Sequence, residues 1–258
     1  MKEGRLLNGA VMVRLEIPLG PPRPRPAIIA LIGDTHELIG AGFVAVTYTI
    51  DWRPLKGPQP PPPENTVGTW ALASPSAAVL GERYLREIAE TATTYVPLII
   101  DWLETLPEVD ATRIGMTGGS TNGFTTLQAI ATDRRIRAAV VIAACADYHG
   151  FLRDSSMGMK GAPLALDPAY ERWIRSQEII RNPRPVVHTA LLMLNRVGDR
   201  LVPIACADET AKVLTPAYAR AGAPERFRYL REDLPGHEVG ADERRELLAW
   251  FQQWLGNR

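Results

Sequence analysis

Residues 113–124 read Arg113-Ile-Gly-Met-Thr-Gly-Gly-Ser120-Thr-Asn-Gly-Phe124. Arg113–Thr117 is a short apolar run of strand character, the next residues are small, and helical spacing resumes at once over Gly123–Thr132. A strand that turns sharply into a helix leaves Ser120 at the tip of the turn. Such a turn needs small residues on either side of the serine, because its backbone is strained and the strand and helix approach closely. Gly118 supplies one of them. Asn122 stands where a second glycine is usual, and Gly123 follows; Asn tolerates unusual backbone angles better than most residues. A phosphate cradle is the competing reading of strand, Gly-rich loop and helix. It would place Lys-Ser or Lys-Thr after the last glycine, where this chain has Phe124, and no G-x-G-x-x-G occurs.

On both sides of this turn, strand and helix signals alternate. Val11–Ile17 alternates in polarity, and Ala27–Ile32, Gly42–Ile50, Ala138–Ala146 and Val186–Asn195 are continuous apolar runs of the kind buried on both faces of a parallel sheet. Phe227–Arg231 reads as an edge strand. Helices are expected over Glu82–Leu106, kinked at Pro97, after the Asp167-Pro168 N-cap and N1 pair, over Ile204–Ala221 ending at Gly222, and over Asp242–Leu255, with Leu247, Leu248, Phe251, Trp254 and Leu255 on one face. The pattern predicts an α/β fold with a mostly parallel central sheet and helices on both faces. Two segments interrupt it: a proline-rich loop, Arg53–Thr69, and residues 149–185, too long for a single crossover and of a length usual for a lid or binding loop.

The 258 residues are expected to form one domain, 1–258, with 149–185 as a cap inserted within it. Ten of the 22 prolines lie between Pro21 and Pro63 and are read as stiffening connections rather than marking a seam between domains. Lys+Arg and Asp+Glu are 29 each, so the chain has no excess charge with which to grip a phosphate backbone, and a dedicated nucleic-acid binder is excluded. The apolar runs are too short to span a bilayer. Glu3, Arg5, Arg14 and Glu16 break up the N-terminal segment, so no signal peptide is expected. Cys145 and Cys206 lie in apolar surroundings and are expected to be buried thiols in a cytoplasmic protein.

The Gly118–Gly123 turn resembles the nucleophile elbow of the α/β-hydrolase superfamily, and the resemblance covers the chain from about Ala27 to Leu255. It implies the chain order Ser, acid, His, and a serine hydroxyl needs such a base and an orienting carboxylate. Of the four histidines, His36 precedes a helix, His149 belongs to an isolated Asp147-x-His149 pair, and His188 sits in an apolar run. His237 occupies the turn between the last strand and the last helix, where the resemblance places the catalytic histidine. Asp199, followed by Val202-Pro203, matches the acid; Asp147 is its rival, and Asp233 is expected to be solvated. The resemblance assigns the oxyanion hole to the backbone N–H groups of Thr121 and Asp34, with Thr35 as substitute. The loop departs from the family at Ile32, where a histidine usually precedes the glycine.

Near relatives by this resemblance are the dienelactone-hydrolase and prolyl-oligopeptidase catalytic-domain groups. The implied activity is hydrolysis of a small-molecule carboxylic ester by a Ser120–Asp199–His237 triad through an acyl-enzyme, with no cofactor, no metal and neither nucleic acid nor membrane as partner. The same triad would serve a peptidase or thioesterase, and a hydrolase fold retained for binding is the non-enzymatic alternative. Trp52, Tyr148, Phe151 and Trp173 are read as packing rather than as substrate contacts.

Overall fold

The computed structural model describes residues 1–31, 35–51, 55, 84–156 and 167–256. Among the described residues, eight strands form one sheet: β1 (Lys2–Leu6), β2 (Val11–Glu16), β3 (Arg25–Leu31), β4 (Val44–Ile50), β5 (Val109–Gly119), β6 (Ile136–Ile142), β7 (Ala190–Gly198) and β8 (Phe227–Pro235). Their order is β1-β2-β4-β3-β5-β6-β7-β8. The hairpin β1–β2 and the β2–β4 pair are antiparallel, and every later pairing is parallel. This is the α/β-hydrolase fold. β1 escaped the sequence reading because Lys2-Glu3-Gly4-Arg5 carries no apolar alternation; pairing with β2, not burial, makes it a strand.

Seven helices are used below: α1 (His36–Gly40), α2 (84–104), α3 (Thr121–Thr132), α4 (Tyr148–Asp154), α5 (Pro168–Gln177), α6 (Ile204–Arg220) and α7 (Ala241–Leu255). The double-faced burial read from the apolar runs is realised through the pleat. On β3, Ala27 and Ile29 pack on the α2–α3–α6 side, whereas Ile28 and Ala30 pack on the α1–α7 side. On β7, Leu191 and Met193 face the first layer, and Ala190, Leu192 and Leu194 face the second. The α7 stripe closes the second layer with Leu247, Trp250, Phe251 and Leu255 buried.

Prolines do not all fall in connections. Pro26 is inside β3, at the register shift between Arg25 and Ala27, where its missing N–H costs no ladder bond. Pro216 lies within α6. Pro97 follows a π-wound turn of α2, Thr91–Tyr95, so the irregularity is absorbed one turn upstream of the expected kink.

The cysteines are buried as expected but are not free thiols. Cys145 after β6 and Cys206 in the first turn of α6 have their Cα atoms 5.7 Å apart and form a disulfide across 61 residues. The sequence reading missed the pairing because only the tertiary structure brings β6 and α6 together. Closing a loop of this length stabilises the native state by about 4 kcal/mol in the chain-entropy account. The Cys145→Ala/Cys206→Ala variant is therefore expected to lose about 4 kcal/mol of unfolding free energy in urea, measured against the oxidised protein.

Part of the 149–185 insertion is described, and it is anchored. Phe151 of α4 packs on Phe124 of α3 with ring centroids 4.8 Å apart, and Gln128 of α3 donates from Nε2 to the Gln177 carbonyl (2.7 Å) and to the Tyr148 hydroxyl (2.8 Å). Asp167 caps α5 by accepting from the N–H groups of Ala169 and Tyr170, as its Asp-Pro pair predicted. α4 is tied to the segment after α5 by Glu178. One carboxylate oxygen of this buried residue accepts from the His149 backbone N–H (2.9 Å) and lies 2.7 Å from His149 Nδ1. The other accepts from Arg181.

Burial alone would raise the Glu178 pKa, but these donors outweigh it and hold the carboxyl below its usual range. A depressed carboxylate stabilises the fold above its unfolded pKa and loses that contribution as the pH falls through the folded one, below about pH 4. Glu178→Gln is expected to cost about 1–3 kcal/mol in urea unfolding at pH 7, with a smaller penalty at pH 3.

Candidate active site

Ser120 follows β5, Asp199 follows β7 and His237 follows β8, so all three stand at the carboxyl ends of parallel strands. In open α/β sheets this is the end that carries the site.

The elbow has the strained backbone anticipated from its glycines. Ser120 adopts φ 53° and ψ −122°, a region costly for a side chain with a Cβ and one that persists only where surrounding contacts enforce it. Its N–H donates to Ile142 O (2.9 Å), and its carbonyl accepts from Phe124 N (3.0 Å), which begins α3. The glycine requirement falls on two positions. A Cβ on Gly118 would lie 2.7 Å from Asn122 Cβ, and one on Gly123 would lie 2.8 Å from Ala144 Cβ. Asn122 is accommodated where a glycine is usual because Gly118 opposite it has no side chain, while Gly123 provides the close approach of α3 to the segment after β6. Thr121, the first residue of α3, belongs to the turn whose N–H groups lack helical acceptors. Its hydroxyl is 2.6 Å from the Tyr84 hydroxyl, which ties the start of α2 to the elbow.

The second cluster is the acid–histidine pair. Asp199 is buried. Its Oδ1 accepts from the N–H groups of Leu201 (2.8 Å) and Val202 (3.0 Å), and its Oδ2 is 2.7 Å from His237 Nδ1. The carboxylate is held by its own turn and aims its free oxygen at the ring. That contact assigns the Nδ1 proton to the Asp199 side and leaves Nε2 as the ring's base nitrogen. The His237 loop lies against the elbow: a Cβ on Gly119 would be 4.0 Å from Val239 Cγ2.

The other candidates are placed elsewhere. Asp147, the rival acid, caps α4 by accepting from Gly150 N (2.9 Å). His149 is engaged with Glu178, so the Asp147-x-His149 pair is split between a cap and a clamp. His188 lies before β7 with Nδ1 on the Pro185 carbonyl, and burial lowers its pKa. Thr35 is buried ahead of α1. Asp34, Ile32 and Trp52 lie outside the described residues. Tyr148 and Phe151 are buried packing residues, as read. Trp173 is stacked on Tyr170 with the Arg86 guanidinium 4.5 Å from its ring centre. Sequence reasoning passed over Tyr84, which belongs to no local motif; it meets the elbow only through Thr121, a partner distant in the chain.

The chain is 29% identical over 156 residues to "Putative hydrolase YtaP" of Bacillus subtilis (strain 168), covering 60% of this chain and 50% of that protein. It is 22% identical over 153 residues to "Putative esterase YitV" of the same organism, covering 57% and 59% respectively. The match thus spans about half to three fifths of the length of these curated relatives. Among solved structures, the acylaminoacyl peptidase of Pyrococcus horikoshii superposes with a TM-score of 0.69 over 96% of this chain and 40% of that one, at 14% identity, which is a likeness of fold. The sequence model of the prolyl oligopeptidase family matches residues 96–258, from the second half of α2 through Ser120, Asp199 and His237 to the C-terminus. With well over half of its residues matched, the chain belongs to the prolyl oligopeptidase family, whose fold is that of the α/β-hydrolase superfamily.

Proposed function

We propose that the protein hydrolyses carboxylic esters of small molecules through an acyl-enzyme formed on Ser120. The observation that carries the reading is the 2.7 Å contact of Asp199 Oδ2 with His237 Nδ1, on a loop packed against the strained Ser120 turn. His237 Nε2 takes the Ser120 hydroxyl proton as Oγ attacks the acyl carbon. The imidazolium so formed is stabilised by Asp199, which stays ionised. Negative charge on the carbonyl oxygen is met by the Thr121 N–H at the start of α3, with a second donor from the Asp34–Thr35 loop. His237 then protonates the leaving alkoxide, activates water against the acyl-enzyme and returns the proton to Ser120 as the acid departs. The residue set calls for no cofactor.

The ester preference is supported by the relative named an esterase. The family name and the acylaminoacyl peptidase likeness favour amide cleavage as the second reading. A panel of p-nitrophenyl esters of increasing acyl length, run beside aminoacyl-anilides, tests the choice. Higher kcat/KM on the esters is expected once intrinsic leaving-group reactivity is corrected for. Anilide turnover matching that of the esters would overturn the assignment in favour of a peptidase.

A further inference from the structure

The catalytic histidine proposed above sits on a short loop, and its Nδ1 contact to Asp199 requires that loop to keep one position relative to β7. Pro235 at the end of β8 and Gly240 before α7 bracket the loop, and one side chain reaches both ends. Arg196, on β7 three residues before Asp199, donates from Nη1 to the Pro235 carbonyl (3.3 Å) and from Nε to Glu243 Oε1 (2.6 Å). The other oxygen of Glu243 accepts from Gly240 N (2.6 Å). Arg196 thus grips the entry of the loop directly and its exit through Glu243, both from the strand that presents the acid.

The surroundings leave no slack in this arrangement. Glu243 is 2% exposed and Arg196 13%, so the pair is desolvated and its geometry costly to break. A Cβ on Gly240 would lie 2.8 Å from Arg196 Nη2, and a Cβ on Gly198 would lie 2.7 Å from Pro235 Cα. Gly198, which would meet the Pro235 and Leu234 backbone, is therefore required for β8 to reach β7 at this end. Glu232 of β8 faces the same guanidinium, with Oε2 4.0 Å from Nε. That buried oxygen has no hydrogen-bond donor among the described residues. Burial, and then repulsion from Glu243, raise the Glu232 pKa. The carboxyl groups at 232 and 243 both face the Arg196 guanidinium, a grouping that the sequence did not reveal.

We propose that Arg196 is a positioning residue for His237, holding the loop 235–240 in register with Asp199 through Pro235 and Glu243. The inference rests on the triad reading given above. Misplacing a catalytic group by about 1 Å costs on the order of 10²-fold. Arg196→Met is therefore expected to lower kcat on p-nitrophenyl acetate by about that factor per fluorophosphonate-titrated site, with KM within about threefold of wild type. Arg196→Lys, which keeps the charge but lacks the fork, should recover part of the loss. Glu232→Gln, which leaves the Arg196 contacts to Pro235 and Glu243 in place, should retain turnover.

A double-mutant cycle separates positioning from a general loss of structure. In a His237→Ala background, Arg196→Met is expected to cost nothing further. Arg135→Met, which breaks a network with Asp101 and Asp133, should lower stability without lowering kcat per titrated site. Unchanged kcat in Arg196→Met, or an equal loss in the His237→Ala background, would overturn the proposal while leaving the triad intact. If Ser120→Ala and His237→Ala instead keep wild-type activity, the triad reading fails and the role of Arg196 falls with it.

Discussion

Replacing Ser120 by alanine is expected to lower kcat on p-nitrophenyl esters by about 10⁶-fold, the scale seen when the nucleophile of a serine hydrolase is removed. The loss should leave the fold intact. Alanine fits the space of serine, and the φ of 53° at this position is no harder for alanine, so the unfolding free energy in urea should change by less than about 1 kcal/mol. Fluorophosphonate labelling should vanish in the variant, while the Tyr84–Thr121 contact keeps the start of α3 in place. Labelling or turnover that persists at wild-type rates would exclude Ser120 as the nucleophile.

Replacing Asp199 by asparagine is expected to cost about 10⁴-fold in kcat, with the site geometry nearly unchanged. The cause is tautomeric. Asp199 Oδ2 accepts from Nδ1, which leaves Nε2 unprotonated and free to act as base. An asparagine that turns its amide N–H₂ toward the ring would favour the other tautomer and put the proton on Nε2. The Oδ1 side of the turn would still accept from Leu201 and Val202, so the loss should appear in kcat rather than in stability. Asp147→Asn, by contrast, touches only the α4 cap, and its kcat should stay within about threefold of wild type, at a stability cost of at most about 1 kcal/mol.

The two assignments differ in how they could be read from the chain. Ser120 announces itself locally. A β run, two glycines, a serine and a helix start within twelve residues admit few geometries, because a close strand–helix approach excludes Cβ atoms at fixed positions, and the structure finds that exclusion at Gly118 and Gly123. Asp199 and His237 were placed by order and by their turns after strands. The chain's order and the Val202-Pro203 that follow favoured Asp199 over Asp147, and the coordinates then set Asp199 against His237 and Asp147 on the α4 cap.

The sequence by itself determined the alternation of buried strands and amphipathic helices, the elbow at Ser120, and the strand ends from which an acid and a histidine could come. These follow from local periodicity and steric limits, which act over a few residues. Tertiary structure alone decided the rest. It showed which aspartate meets His237, paired Cys145 with Cys206, set Glu178 on His149, and laid Arg196 across both ends of the His237 loop. Each of these contacts joins residues 29 to 61 positions apart. Desolvation and charge pairing select such partners only once the sheet has brought its strand ends together, and no local pattern records them.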